Sequence, residues 1–526
     1  MLIHLSRLIP NLVGRCFHGI KHHSSKCSVP LLRNLEDVVN SRQSEAFRSV
    51  VVQVASEKSF DDVHNYCSQF GHIKNAYFYT VPKDTSFILL EYENENSVNE
   101  TFQSCAFPNL SSGVVPVKSK FLWFRNTPNK SKLKAMNVKD RIVLNTIEGT
   151  ERSATDLMKI LVEADSVSEQ ISLLYEHTRL NDLAIRLRFL GASQIQTALE
   201  GLFLKHIVVP FGSTVNGFGK LGCDLDMILH YNSDDESFKL PNDYNSRRLM
   251  FHTKGCPSDT DTIRRGIIEN HIKFYGAMCQ SFIPGASNVT PIHKARVPIV
   301  RYYQNFLNLS VDISLLNMTG FYISELFHTY GEIDARVRPL VFLVRRWAQE
   351  AQLTTKINGT PRPHSFTNFQ ISCLVLCFLQ QLSDPILPTV HELVSKARKE
   401  DVRFSEEHRK YTFCRDPNEI QFKTQNTNSL EELFIQFLEF YGTFDFTKHL
   451  ISLTSHKPIR KIEPSPLQIS NPFEMEQNWG RNVSYDECLA FKMNAQNTFA
   501  DLIDVDGSQN PNKNRWGLLS IFPNLR

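Results

Sequence analysis

The chain has 526 residues, 41% hydrophobic and 21% charged, a composition that excludes a disordered polymer and a length too great for one core. A formal net charge of +3 is too small to name a partner, and no uninterrupted apolar run approaches the ~20 residues of a membrane span. Its 11 cysteines form neither paired C-x₂-C blocks nor a compact disulfide framework, and are expected to be reduced.

Before Glu36 the chain carries Arg7, Arg15, Lys21, Lys26 and Arg33 and no acid. An Arg-bearing, Ser-containing, acid-poor start has the composition of a mitochondrial transit peptide, assigned to residues 1–40. Ser49–Ala55, Phe60–Phe70, Ile73–Thr80, Ser86–Tyr92 and Ser97–Cys105 read strand, helix, strand, strand, helix, with Val114–Lys120 as a final strand. This order resembles an RNA-recognition motif over 44–126, a fold whose sheet stacks bases on aromatics. Phe87 is kept, but Leu89 occupies the second stacking position and Val50–Ala55 has no aromatic, so a structural or dimer-forming role is weighed above base stacking. Residues 127–164 read as a basic linker in which Lys130, Lys132 and Lys134 either track a phosphate backbone or are simply solvated. From Asp165 the apolar spacing turns helical, and 165–200 is expected to join a helical domain.

His206–Phe211 reads as a short buried strand, and Gly212-Ser213 as a turn offering backbone N–H groups and a hydroxyl to a polyphosphate. Ten residues on, Asp224-Leu225-Asp226 puts two carboxylates at period two, on one face of the next strand, with Leu225 pointing to the core. Val297–Arg301 and Leu309–Ile313 read as two strands joined by a short loop, which brings Asp312 beside that pair. Three clustered carboxylates repel one another unless divalent cations neutralise them, and oxygen ligands suit Mg²⁺ or Mn²⁺. Two such ions activate an attacking hydroxyl and stabilise a leaving pyrophosphate. A lone Asp-x-Asp is usually a solvated strand edge; the Gly-Ser turn, the spacing and the third strand-borne Asp together favour chemistry.

The run Pro210–Leu229, PFGSTVNGFGKLGCDLDMIL, resembles the catalytic signature of the DNA polymerase β-type nucleotidyltransferases in their template-independent RNA-tailing branch, the mitochondrial poly(A) polymerases most of all. Asp312-Ile313-Ser314 with Asn317 and Gly320, Arg336–Trp347, Leu433–Phe446 and Asn471-Pro472-Phe473-Glu474 resemble further segments of that branch. The resemblance implies an α/β plus α architecture: a polymerase β-like palm over 201–330, a helical poly(A)-polymerase-associated domain over 331–510, and the RNA-recognition-motif-like α+β domain before them. It implies Asp224, Asp226 and Asp312 as catalytic and metal-holding residues for two ions. It assigns Gly212, Ser213, Asn317, Arg345, Phe369, Asn471 and Gln477 to the nucleotide, and Lys220 to the RNA. The expected activity is template-independent 3′-adenylylation of mitochondrial RNA from ATP in the matrix, with RNA 3′ ends as partners and homodimerisation through the α+β domain. Gln477 stands where uridylyl-transferring relatives carry a histidine, which favours adenosine and leaves UTP as the competitor; a silent RNA-binding scaffold is the alternative outside enzymology.

Overall fold

The computed structural model describes residues 32–106, 118–125, 142–146, 153–200, 206–231, 261–295, 297–315, 318–354, 356–357, 360–361, 364–405, 408–507 and 516–522. Asn34 starts helix α1 (Leu35–Phe47) by accepting a hydrogen bond from the Asp37 N–H, with Glu36 and Asp37 in the first turn, where negative charge is favoured. The helix buries Leu35, Val39 and Ala46 against Phe189 and Val215. Just before it, the Leu32 carbonyl accepts from Asn418 Nδ2 at 2.7 Å, and the Arg33 carbonyl meets His328 Nε2 at 2.9 Å. The expected presequence boundary at residue 40 therefore falls inside a packed helix; residues 1–31 lie outside the described residues.

Strands β1 (Ser49–Val54), β2 (Ile73–Val81) and β3 (Thr85–Tyr92) alternate with α2 (Phe60–Cys67) and α3 (Asn96–Ser104), in the order expected. Together with β4 (Phe121–Trp123) and β5 (Leu144–Thr146) they make a five-stranded sheet, ordered β4-β1-β3-β2-β5. The closing strand thus lies at 121–123 rather than 114–120, and it runs parallel to β1. One face of the sheet packs Val50, Val52, Ile88 and Leu90 on Val63, Cys67 and Val98 of the two helices. The other face, which an RNA-binding sheet would expose, packs Val51, Tyr77, Tyr79, Phe87 and Leu89 on Leu183, Leu187 and Leu190. Phe306 closes it from the side, with ring centroids 5.6 Å from Phe87 and 5.2 Å from Phe121. At the rim, Glu91 is almost fully buried and accepts from Arg48, Arg186 and Asn75, each at 2.8 Å; burial raises its carboxyl, but these donors outweigh burial and hold it below the usual range.

The stretch read as a basic linker contains β5 and, at its end, helix α4 (Ala154–Val162), capped by Ser153. Of the helical run after it, α5 (Val167–Thr178) packs with the later helices, whereas α6 (Asp182–Glu200) backs the palm sheet. That sheet, ordered β6-β7-β10-β9-β8, comprises β6 (His206–Phe211), β7 (Leu225–Tyr231), β8 (Ala286–Ile292), β9 (Ile299–Gln304) and β10 (Leu309–Leu315). Helix α7 (Asp261–Phe282) lies between β7 and β8 in the chain, and β7 pairs with β10 in parallel. Leu225, Met227, Val311 and Ile313 alternate into the core beneath it.

A helical body follows: α8 (Met318–Ile333), α9 (Val337–Glu350), α10 (Asn368–Gln381), α11 (Leu430–Thr443) and α12 (Tyr485–Gly507). Reciprocal capping boxes, Thr367 with Gln370 and Ser429 with Glu432, start α10 and α11. Pro339 sits in the first turn of α9, where its missing N–H is tolerated. Cys373 and Cys377 are buried core thiols. No helix among the described residues is long and apolar enough to cross a membrane.

Because α1 joins three parts of the molecule, a chain starting at residue 41 should melt lower than one starting at residue 32. Losing the burial of Leu35 and Val39 removes roughly 3–6 kcal/mol before relaxation. Equal melting temperatures in differential scanning fluorimetry would show that α1 is dispensable.

Candidate active site

Strand β6 ends at Phe211, and the chain turns at Gly212 with φ +67°, a left-handed conformation that favours glycine. Glycine is required for space as well: a Cβ there would stand 3.1 Å from Asp226 Oδ2. The Gly212 N–H donates to Ser324 Oγ of α8 at 2.8 Å, and the Ser213 hydroxyl donates to the Cys223 sulfur at 3.4 Å. Both groups proposed for a polyphosphate are thus held by weak, neutral partners.

Asp224 is exposed immediately before β7, and Asp226 is half-buried within it. The sheet register places Phe211, Asp226, Asp312 and Arg301 in one row across β6, β7, β10 and β9, so these side chains share a face. Burial first, then the charges of Asp312 and Asp224, push the Asp226 carboxyl up to about 7 against the opposing pull of Arg301. Arg301 forks Asp312, Nε to Oδ1 at 2.7 Å and Nη2 to Oδ2 at 2.6 Å. The donor set still fits a hard divalent cation: oxygen ligands on three carboxylates whose mutual repulsion a nearby positive charge relieves.

Arg188, buried on α6, donates to the Cys223 carbonyl and so fixes the turn that delivers Asp224. On the helical side, Arg345 of α9 donates to the Phe218 carbonyl, the Asn368 carbonyl and Ser372 Oγ. These acceptors are neutral, and burial lowers the guanidinium to about 10, leaving a positive charge suited to an anion beside the glycine turn. Phe369 stacks on Phe327 at 5.5 Å and meets Trp479 edge-on at 5.1 Å, so one of its ring faces already has a partner. Lys220 is half-buried, and its backbone lies antiparallel to that of Arg179.

Asn471 is fully buried, contrary to the picture of a residue presented to a base. Its Oδ1 accepts from the Phe473 N–H at 3.0 Å and its Nδ2 donates to the Tyr411 hydroxyl at 3.2 Å, which uses both ends of the amide to shape the loop. Gln477 Nε2 donates to Glu474, whose other oxygen accepts from the Tyr411 hydroxyl. Tyr411, Arg188 and Arg301 are the residues that sequence reasoning gave no role, and Glu474 entered only as part of the resemblance Asn471–Glu474; of the first three only Arg301 had a visible signal, a cation ending the apolar run Val297–Val300. Asn317, Lys130, Lys132 and Lys134 lie outside the described residues.

Comparison with known proteins agrees with this geometry. Residues 167–332 match the family model described as the mitochondrial-like poly(A) RNA polymerase central palm domain, and 429–477 match that of the Cid1 family poly A polymerases. The chain is 41% identical to the Drosophila melanogaster mitochondrial poly(A) RNA polymerase, over 91% of this chain and 78% of that one. It is 32% identical to the Homo sapiens protein of that name, over 93% and 81%. The crystal structure of mtPAP in complex with ATPγS superposes with a TM-score of 0.79 at 29% identity, covering 93% of this chain and 99% of that one. With the carboxylate row, the glycine turn and the helical body all in place, the chain belongs to the mitochondrial poly(A) RNA polymerase family of polymerase β-type nucleotidyltransferases.

Proposed function

We infer that the chain is a template-independent RNA 3′-adenylyltransferase that tails mitochondrial RNA from ATP. The observation that carries this reading is the register of Asp226 against Asp312 beside the Gly212 turn, in a chain whose relatives are named mitochondrial poly(A) RNA polymerases. The RNA 3′-oxygen attacks the α-phosphorus of ATP; the new P–O bond forms as the bond to the β-phosphate breaks, and pyrophosphate leaves. Asp224, Asp226 and Asp312 are the residues that would hold two Mg²⁺ or Mn²⁺ ions. Bound there, such ions lower the proton affinity of the 3′-hydroxyl and neutralise charge growing on pyrophosphate.

The remaining work is alignment and electrostatics, which phosphoryl transfer needs more than covalent help. Gly212 and Ser213 exchange their neutral partners for phosphate oxygens, and Arg345 supplies charge from α9. Phe369, partly buried against Phe327 and Trp479, is assigned to the base by resemblance. Asn471 and Gln477 act through the loop they brace with Tyr411 and Glu474, and adenosine selection is assigned to that loop as a whole. Residues 1–31 remain the proposed targeting segment.

The α+β unit is proposed to serve the homodimer through its edges, since both sheet faces are occupied within the chain. Trp123 is 61% exposed on edge strand β4 and Val143 79% exposed beside edge strand β5. Trp123→Glu should shift the mass seen in light scattering from dimer to monomer; an unchanged mass would remove this edge from the interface.

Primer extension on single-stranded RNA with each nucleoside triphosphate separately should show ATP preferred. Asp224→Ala and Asp312→Ala should each cut addition by more than about 100-fold, beyond the loss typical of outer-shell partners, with the melting temperature retained. Preferred UTP would keep the chemistry and move the base assignment; survival of addition in either variant would remove that residue from the site.

The raised Asp226 group gives a pH test. Its folded value of about 7 exceeds the usual carboxylate value, so its contribution to metal-free stability is present at low pH and lost as pH rises through 7. A cation binding there displaces that proton, so the Mn²⁺ concentration giving half-maximal thermal stabilisation should rise as pH falls from about 8 to 6. A midpoint independent of pH would contradict the assignment.

A further inference from the structure

We propose that Arg301 is a positioning residue that occupies Asp312 in place of a cation and must release it before the metal site can close. The inference rests on the reading of Asp312 as a metal ligand, and adds a step that must precede binding. Its ground is the row Asp226–Asp312–Arg301: Asp312 lies between a carboxylate on β7 and a guanidinium on β9, and both of its oxygens bond the guanidinium. A planar fork matched to a carboxylate fixes its orientation as well as its charge, which an ammonium does not. While the fork is made, both Asp312 oxygens are engaged by the guanidinium on β9.

Release is feasible because the two partners differ in exposure. The Asp312 side chain is 13% exposed, whereas that of Arg301 is 51% exposed and can move into water without breaking the core. Water takes up the exposed guanidinium as the fork opens, which offsets part of the loss, and a divalent cation shared with Asp226 supplies two charges where the guanidinium supplies one. Before loading, the pair serves a second purpose. It keeps a third carboxylate beside Asp226 without leaving three uncompensated negative charges together, which would otherwise cost stability.

Charge alone would also make Arg301 weaken cation binding, and the conservative variant separates the two accounts. Mn²⁺ binding to the full chain, without RNA or ATP, is measured by electron paramagnetic resonance of the free ion, with melting temperatures as the folding check. Release from the fork predicts that Arg301→Gln tightens Mn²⁺ binding, and that Arg301→Lys, which keeps the charge and loses the fork, also tightens it, by about 3-fold or more. On an Asp312→Ala background the charge-conserving Arg301→Lys should lose its effect, as a double-mutant cycle requires, while any residual tightening in Arg301→Gln reports its charge acting on Asp226. If Arg301→Lys binds like the wild type while Arg301→Gln binds more tightly, the charge acts without the fork and the proposal fails. Unchanged or weaker binding in both variants overturns it as well. Asp312→Ala binding Mn²⁺ like the wild type is a separate result, which would sink the metal-site reading itself.

Discussion

Two like charges held opposite one another on neighbouring strands are the constraint around which the molecule is arranged. Asp226 and Asp312 are register partners in the parallel pair β7–β10, and a parallel pair cannot be closed by a tight turn. The chain between them therefore runs through α7, β8 and β9 before returning. Beneath the two carboxylates, Leu225, Met227, Val311 and Ile313 are buried against a core to which α6 and α7 contribute, and this apolar layer offsets the repulsion above it. The glycine turn, the Arg188 brace and the Arg301 fork are local answers to the same demand: to hold acids close and aimed when no ligand is present.

Among the described residues, two hydrogen bonds tie the helical body to the palm at the glycine turn and the segment after it. Ser324 of α8 takes the Gly212 N–H, and Arg345 of α9 takes the Phe218 carbonyl. The residue after Ser324, Glu325, makes a buried ion pair with Arg415 at 2.9 Å, and Arg415 also donates to the Tyr411 carbonyl at 2.8 Å. Tyr411 in turn bonds Glu474 and Asn471 through its hydroxyl. A continuous polar chain thus runs from the helix after the third carboxylate to the loop assigned to the base. Removing one member of a buried pair leaves an uncompensated charge, so such a network tolerates few geometries.

The catalytic segment was legible because its information is local. A glycine turn, a fixed spacing and period-two carboxylates survive in any short window of sequence, and the order of strands in the α+β unit is local in the same way. What escaped was decided by tertiary placement. The role of Arg301 depends on which residue of β10 lies across from it, and no periodicity reports a cross-strand register. Asn471 reads in sequence as a polar loop residue; that it is buried and spent on Tyr411 and Phe473 follows only from the packing of a segment sixty residues earlier. The start of helix α1 falls within the expected targeting segment because composition reports charge and not burial, and Leu35 and Val39 straddle the end of the acid-free stretch.

The sheet of the α+β unit keeps Phe87 of a recognition surface, turned inward onto the palm. Tyr79 and Phe87 stack on each other at 5.4 Å, and the Tyr79 hydroxyl donates to the Phe306 carbonyl. At these positions side-chain volume is set by the fit against α6 and Phe306, so the sheet that could have met another molecule serves as the seam holding the α+β unit to the palm.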